Sequence, residues 1–102
     1  MNAGLTPIFC IQNESTPIPD GIKLVAFEPP SAIGTGNPDT PESADEVAQA
    51  IKASRNDLQV LYGGSVNATN VKSFTQKQNI DGVLVGGASL EAEEFLKIIQ
   101  NA

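Results

Sequence analysis

The sequence predicts an α/β fold on a parallel sheet, either an open sheet or part of a barrel, and three observations support it. Four short runs of β-forming residues alternate with helical patterns in the order β, β-α, β-α, β-α. Those runs are apolar rather than alternating apolar and polar, as strands are when both faces of a parallel sheet are covered. Three of them lead straight into glycine loops: F-E-P-P-S-A-I-G-T-G at 27–36, Y-G-G-S-V at 62–66 and L-V-G-G-A-S at 84–89.

The elements follow in order. Residues 7–11 form a short apolar run and read as a buried strand. Residues 12–21 contain Pro17, Pro19 and Gly21 and have the composition of a loop. A second strand at 23–27 (K-L-V-A-F) ends at Glu28 and the Pro29-Pro30 pair. Thr40 and Pro41 make a good helix start, cap followed by proline at the first helical position. Ala44, Val47, Ala48 and Ile51 then recur at helical spacing and give one apolar face. Residues 58–62 are a third strand, broken by Gly63-Gly64. Asn67 is placed to cap a shorter helix that turns Val71 and Phe74 to the core. Residues 83–85 centre a fourth strand, and Ala92, Phe95, Leu96 and Ile99 mark the apolar face of a last helix. One step is odd. Only about ten residues separate the first two strands, near the lower limit for a parallel crossover, as if a helix were missing there.

A chain of 102 residues is most simply one domain, burying roughly 60–65% of its unfolded surface. Hydrophobic content of 40% against 18% charged residues fits a soluble globular protein. With Trp absent and few Phe or Tyr, the core must be mostly Val, Ile, Leu and Ala. A formal charge of -6 with six scattered basic residues argues against nucleic acid. The apolar stretches fall far short of the ~20 residues needed to span a bilayer. No secretory signal is visible at the N-terminus, so a cytoplasmic location is expected. Cys10 is the single cysteine, which fits a reducing compartment. It reads as a buried strand residue, because the chain has no histidine to activate it. No metal or cofactor is expected.

In a parallel α/β unit, the loops after the strands emerge on one face, beside the N-termini of the following helices. Free backbone N–H groups and the helix dipole attract an anion there, and glycine lets the backbone come close. Gly34, Gly64, Gly86 and Gly87 are candidates for such amides, and Ser65 for a hydroxyl donor. The alternative is that these glycines only make tight turns. Glu28 ends its strand as either a solvated rim carboxylate or a base whose pKa is raised by apolar neighbours such as Ile33 and Leu84. Glu14, Glu42, Glu46, Glu91, Glu93 and Glu94 read as solvated, the last three crowding the first turn of the final helix.

At these residues the chain resembles the C-terminal half of the triosephosphate isomerase family. The resemblance rests on Gly4-Leu5-Thr6-Pro7-Ile8 with Cys10, on Glu28-Pro29 with Ala32-Ile33-Gly34-Thr35-Gly36, on Tyr62-Gly63-Gly64-Ser65-Val66, and on residues 81–89 (D-G-V-L-V-G-G-A-S). It implies half of a (β/α)8 barrel: four parallel strands, strands five to eight of the family, and about three helices in a single domain over 1–102. It further implies that Glu28 shuttles a proton between the carbons of dihydroxyacetone phosphate and glyceraldehyde 3-phosphate. Residues 29–36 would be a lid, with Gly34 contacting phosphate. Ser65, Gly86 and Gly87 would complete the phosphate cradle. Tyr62 would hold the closed lid, and Ile33 and Leu84 would clamp the base.

The departures shape what the resemblance implies. The family's first half carries an asparagine, a lysine and a histidine that stabilise charge, often the largest catalytic contribution. This chain has no histidine, and no lysine on the loop face. Gln12 stands where the family has glycine after Cys-Val or Cys-Ile of strand five, and Pro30-Ser31 replaces the commoner Val-Trp of the lid. Full isomerase activity from one chain is therefore not expected. Four parallel strands also leave two bare edges and an apolar inner face, and two copies about a two-fold axis would close an eight-stranded barrel. The expected partners are triose phosphate or phosphate and a second copy of the chain. The alternatives are a split isomerase completed by an N-terminal-half chain, or an assembly scaffold with no ligand.

Overall fold

The computed structural model describes residues 6–13, 15–29 and 40–102. It contains four strands, β1 (Phe9–Ile11), β2 (Leu24–Phe27), β3 (Gln59–Tyr62) and β4 (Gly82–Val83). The described helices are α1 (Pro41–Ser54), α2 (Val71–Thr75) and α3 (Ala92–Asn101), with a 3₁₀ turn at Gly87–Leu90 before the last. The strands lie in one sheet in the order β1-β2-β3-β4, and each neighbouring pair is parallel. Sequential order without a reversal decides between the two architectures open from sequence. A doubly wound sheet switches direction at its centre, whereas a barrel adds each strand beside the last. The sheet is therefore that of a half-barrel, and it is not closed.

Register sorts the side chains. Val25 pairs with Val60 and Phe27 with Tyr62, and all four are buried. They form one core with Ile11, with Ala44, Ala48 and Ile51 of α1, and with Val71 and Phe74 of α2. The alternate positions Cys10, Ala26, Leu61 and Gly82 form a row across the other face. Cys10 in that row is exposed and Leu61 half-buried, so the expectation of a buried cysteine is corrected. Coverage of both faces is complete only on β2, where Val25, Ala26 and Phe27 are all buried.

Local signals explain most element boundaries. The Thr40 hydroxyl accepts the Ser43 amide at 3.1 Å, and Pro41 opens α1 as expected. Asn67 acts one turn earlier than the cap assigned to it. Its side-chain oxygen accepts the amides of Thr69 and Asn70 at 2.9 and 2.8 Å, and α2 begins only after Asn70. β4 is shorter and earlier than the 83–85 run. Its pairing with β3 ends at Val83, because Tyr62 is the last residue of β3.

Residues 12–23 join β1 to β2, and their described members form no helix. Asn13 opens a turn by accepting the Ser15 amide at 2.8 Å. Gly21 sits at φ +90°, where a side chain would be strained. Arg55, just past α1, donates to the carbonyls of Ile18 and Ile22 at 3.4 and 3.2 Å and anchors the connection from outside.

The last helix stands where its apolar spacing marked it, but most of that face lies outside the core. Phe95, Leu96 and Ile99 are exposed, and Ile98 is the buried residue of the helix. The cause is position. α3 lies beside β4, the last strand, so Phe95 and Ile99 line an apolar groove with Val83, Leu84 and Val85 instead of entering the core. Glu94 is also corrected: it is half-buried, and its carboxylate accepts the Ala68 amide at 2.8 Å.

Candidate functional site

Parallel strands bring the residues that follow them to one end of the sheet. Glu28 follows β2, residues 63–66 follow β3, and residues 84–88 follow β4. They enclose a cavity of about 710 Å³ lined by Glu28, Gly63, Gly64, Ser65, Val66, Leu84, Val85, Gly86, Gly87 and Ala88. That volume lies within the range of small-molecule sites. Six of the nine residues singled out from sequence, Glu28, Gly64, Ser65, Leu84, Gly86 and Gly87, thus line one cavity. Tyr62 does not line it. Its ring is buried against Phe74, with centroids 4.0 Å apart and planes within 6°. Ile33 and Gly34, with the rest of 30–39, lie outside the described residues.

Glu28 is fixed at its backbone and half-buried at its side chain. Its amide donates to Ile11 O at 2.8 Å, and buried Pro29 follows. The side chain continues the row of Cys10 and Ala26, since alternate strand residues share a face. Cys10 Sγ accordingly lies 3.7 Å from Glu28 Oε1 and donates to it. Desolvation of the sulfur, then the charge and hydrogen bond of Glu28, push the Cys10 thiol up. Glu28 also borders a second, smaller cavity of about 320 Å³ with Cys10, Ile11, Gln12 and Thr16.

The glycines differ in why they are glycine. None of the four described in the loops has positive φ, so none is there to supply a left-handed backbone position. A Cβ on Gly63 would collide with the Glu28 side chain, and one on Gly64 with the Tyr62 hydroxyl and ring. Gly86 and Gly87 have neither constraint. A Cβ on either would point into open space with nothing within 4 Å. Their amides donate to no backbone carbonyl among the described residues. Both residues line the cavity and are exposed, so no packed neighbour accounts for the missing side chains.

Two neighbours of Glu28 escaped sequence reasoning, Cys10 and Gly63. The signal was available in the strand register. If β1, β2 and β3 align as parallel neighbours, Cys10 falls beside Ala26 in the row that Glu28 continues, and Gly63 falls opposite Glu28. No charged nitrogen lines the cavity among the described residues. The described residues also hold no helix long and apolar enough to cross a membrane.

Comparison with known proteins agrees with the geometry. The family model described as Triosephosphate isomerase matches residues 22–102. A triosephosphate isomerase of Borreliella burgdorferi is 48% identical over 87 residues, covering 76% of this chain and 34% of that protein. One from Endomicrobium trichonymphae is 47% identical over 87 residues, covering 78% and 35%. One from Bordetella pertussis is 41% identical over 126 residues, covering 96% and 50%. That last alignment is longer than the chain itself, so the relative carries residues inside the matched span that this chain lacks. The chain spans about a third to a half of the length of these curated relatives. With the family match running through β2, β3, β4 and the whole cavity they build, the chain belongs to the triosephosphate isomerase family.

Proposed function

We propose that the chain binds a triose phosphate, or phosphate itself, in the cavity between Glu28 and the glycine loops. The observation that carries this reading is that Gly86 and Gly87 line the cavity while no neighbouring side chain packs where their Cβ atoms would lie. Ser65 stands on the same wall, and by family resemblance Gly34 adds a phosphate contact from the lid. Glu28 is the candidate base. It would carry a proton between the two carbons that exchange the carbonyl in dihydroxyacetone phosphate and glyceraldehyde 3-phosphate. Leu84 and, by resemblance, Ile33 would flank it, and Tyr62 would hold the lid. No cofactor is needed for such a transfer.

Turnover by the chain alone is proposed to be weak or absent. The sequence has no histidine, and no lysine lines the cavity, so the charge that develops on the substrate oxygen lacks a cationic partner. The test pairs two measurements on the purified chain. Phosphate should raise the melting temperature, because a ligand of the native state stabilises it. An isomerase assay should show far less turnover than a full-length family member. Absence of phosphate protection would leave the scaffold reading. Turnover equal to a full enzyme would overturn the claim of an incomplete site.

The exposed stripe of Phe95, Leu96 and Ile99 beside the open β4 edge supports a second component of the proposal. Two copies of the chain would pair their open edges into a closed barrel, and a separate chain supplying the first half of the family fold would serve the same edge. Sedimentation at micromolar concentration decides: a monomer mass defeats the homodimer. A cytoplasmic location fits this reading.

A further inference from the structure

We propose that Gly63 is a positioning residue for Glu28: its missing side chain is the space that holds the Glu28 carboxylate between the ends of β1 and β3. The inference rests on the reading of Glu28 as the base of the site. A Cβ at Gly63 would lie 2.7 Å from Glu28 Cγ, 3.2 Å from Oε1 and 3.4 Å from Cδ. The closest of these is not the flexible end of the side chain. Cγ is set by the first side-chain torsion, so relieving the contact swings the whole carboxylate.

Neither backbone can retreat instead. The Gly63 amide donates to Phe27 O at 2.8 Å, continuing the β2–β3 pairing. The Glu28 amide is held by Ile11 O at 2.8 Å, continuing the β1–β2 pairing. A methyl group on the β3 side therefore drives the carboxylate toward β1, out of the cavity it shares with Gly86 and Gly87. On that side lies the smaller cavity beside Cys10.

Cys10 makes the displacement measurable without turnover. It is the single cysteine and is exposed, and among the described residues Glu28 is the charged group that acts on it. Thiolate is the reactive form, so the pH profile of alkylation by iodoacetamide reports where the carboxylate sits. Gly63→Ala is expected to move that profile to higher pH and slow alkylation near neutrality severalfold. In a Glu28→Gln background, the same substitution should leave the profile unmoved. A profile unchanged by Gly63→Ala, or a shift that persists in the Glu28→Gln background, overturns the proposal.

Should Gly63→Ala not fold, its melting is compared in a Glu28→Ala background, where the opposing Cγ is gone. Recovery of a cooperative transition supports the proposal, and an equal loss in both backgrounds overturns it. Failure of the ligand reading shows separately, as absence of phosphate protection in the unsubstituted chain.

Discussion

The Asp81 carboxylate receives the Lys52 ammonium at 2.7 Å and so ties the start of β4 to α1. The same carboxylate accepts the Val60 amide at 2.8 Å, in the middle of β3. Val60 is 1% exposed, so removing the acceptor leaves a buried N–H without its partner. Asp81→Ala is expected to cost about 1–3 kcal/mol, the desolvation penalty of such a group. Lys52→Met keeps the stem and the amide bond, and should cost about 1 kcal/mol or less. Urea unfolding followed by circular dichroism separates them. Equal costs would mean that the ion pair, not the amide, is the contribution that matters.

Phe74 stacks on Tyr62, and both are 1% exposed. Phe74→Ala removes one ring of the pair and leaves a cavity, for a loss of about 3–5 kcal/mol. Total stability of a domain is typically about 5–15 kcal/mol, so this variant should melt near the limit of folding. Phe74→Leu refills much of the volume and should retain a cooperative transition. Thermal melts of the two would place the aromatic contact within the core. A Phe74→Ala chain as stable as its parent would show that α2 does not hold the end of β3.

These contacts mark what the sequence could and could not reveal. Thr40-Pro41 located the start of α1 because cap chemistry is local to four residues. The glycine loops located the cavity wall because strand–loop–helix order fixes which end of a parallel sheet they reach. The spacing of Phe95, Leu96 and Ile99 located α3 but not its burial, since β4 has no neighbour to cover them. Periodicity names an apolar face without naming what meets it. The approach of Gly63 to Glu28 required register between strands more than thirty residues apart in sequence, which residue types alone do not encode.

Asp57 gives the fold an acid-side dependence. Hydrogen bonds from Arg55 and then Lys23 hold its carboxyl well below the usual carboxylate range. A lowered folded-state pKa means that the stabilisation is fully present above the unfolded value of about 3.9. It is lost as pH falls through the lower folded value. Melting temperature should therefore fall more steeply below about pH 4 in the parent than in Asp57→Asn, with the curves parallel above pH 5. Lys23 is largely exposed and Arg55 and Asp57 are partly so, so added salt should shrink the difference. Parallel curves down to pH 2 would remove Asp57 from the acid response.

Gly87→Ala separates the two readings of the glycine loops. Gly87 opens the 3₁₀ turn at ordinary negative φ, and a new Cβ would meet nothing within 4 Å. The folded chain should tolerate alanine and gain about 0.4–1 kcal/mol from the reduced freedom of the unfolded state. Because Gly87 lines the cavity, a methyl group that intrudes on the proposed anion site would compete with the anion. Phosphate protection should weaken by about tenfold in apparent Kd, or about 1.4 kcal/mol. Gly82→Ala is the control, because its Cβ would press on Leu61 Cδ2 at 3.1 Å outside the cavity. It should alter stability while leaving phosphate protection as it was. Melting curves across a phosphate titration measure both quantities at once. A Gly87→Ala chain that loses stability but keeps its full response to phosphate would assign that glycine to the turn, and the open wall would no longer argue for an anion.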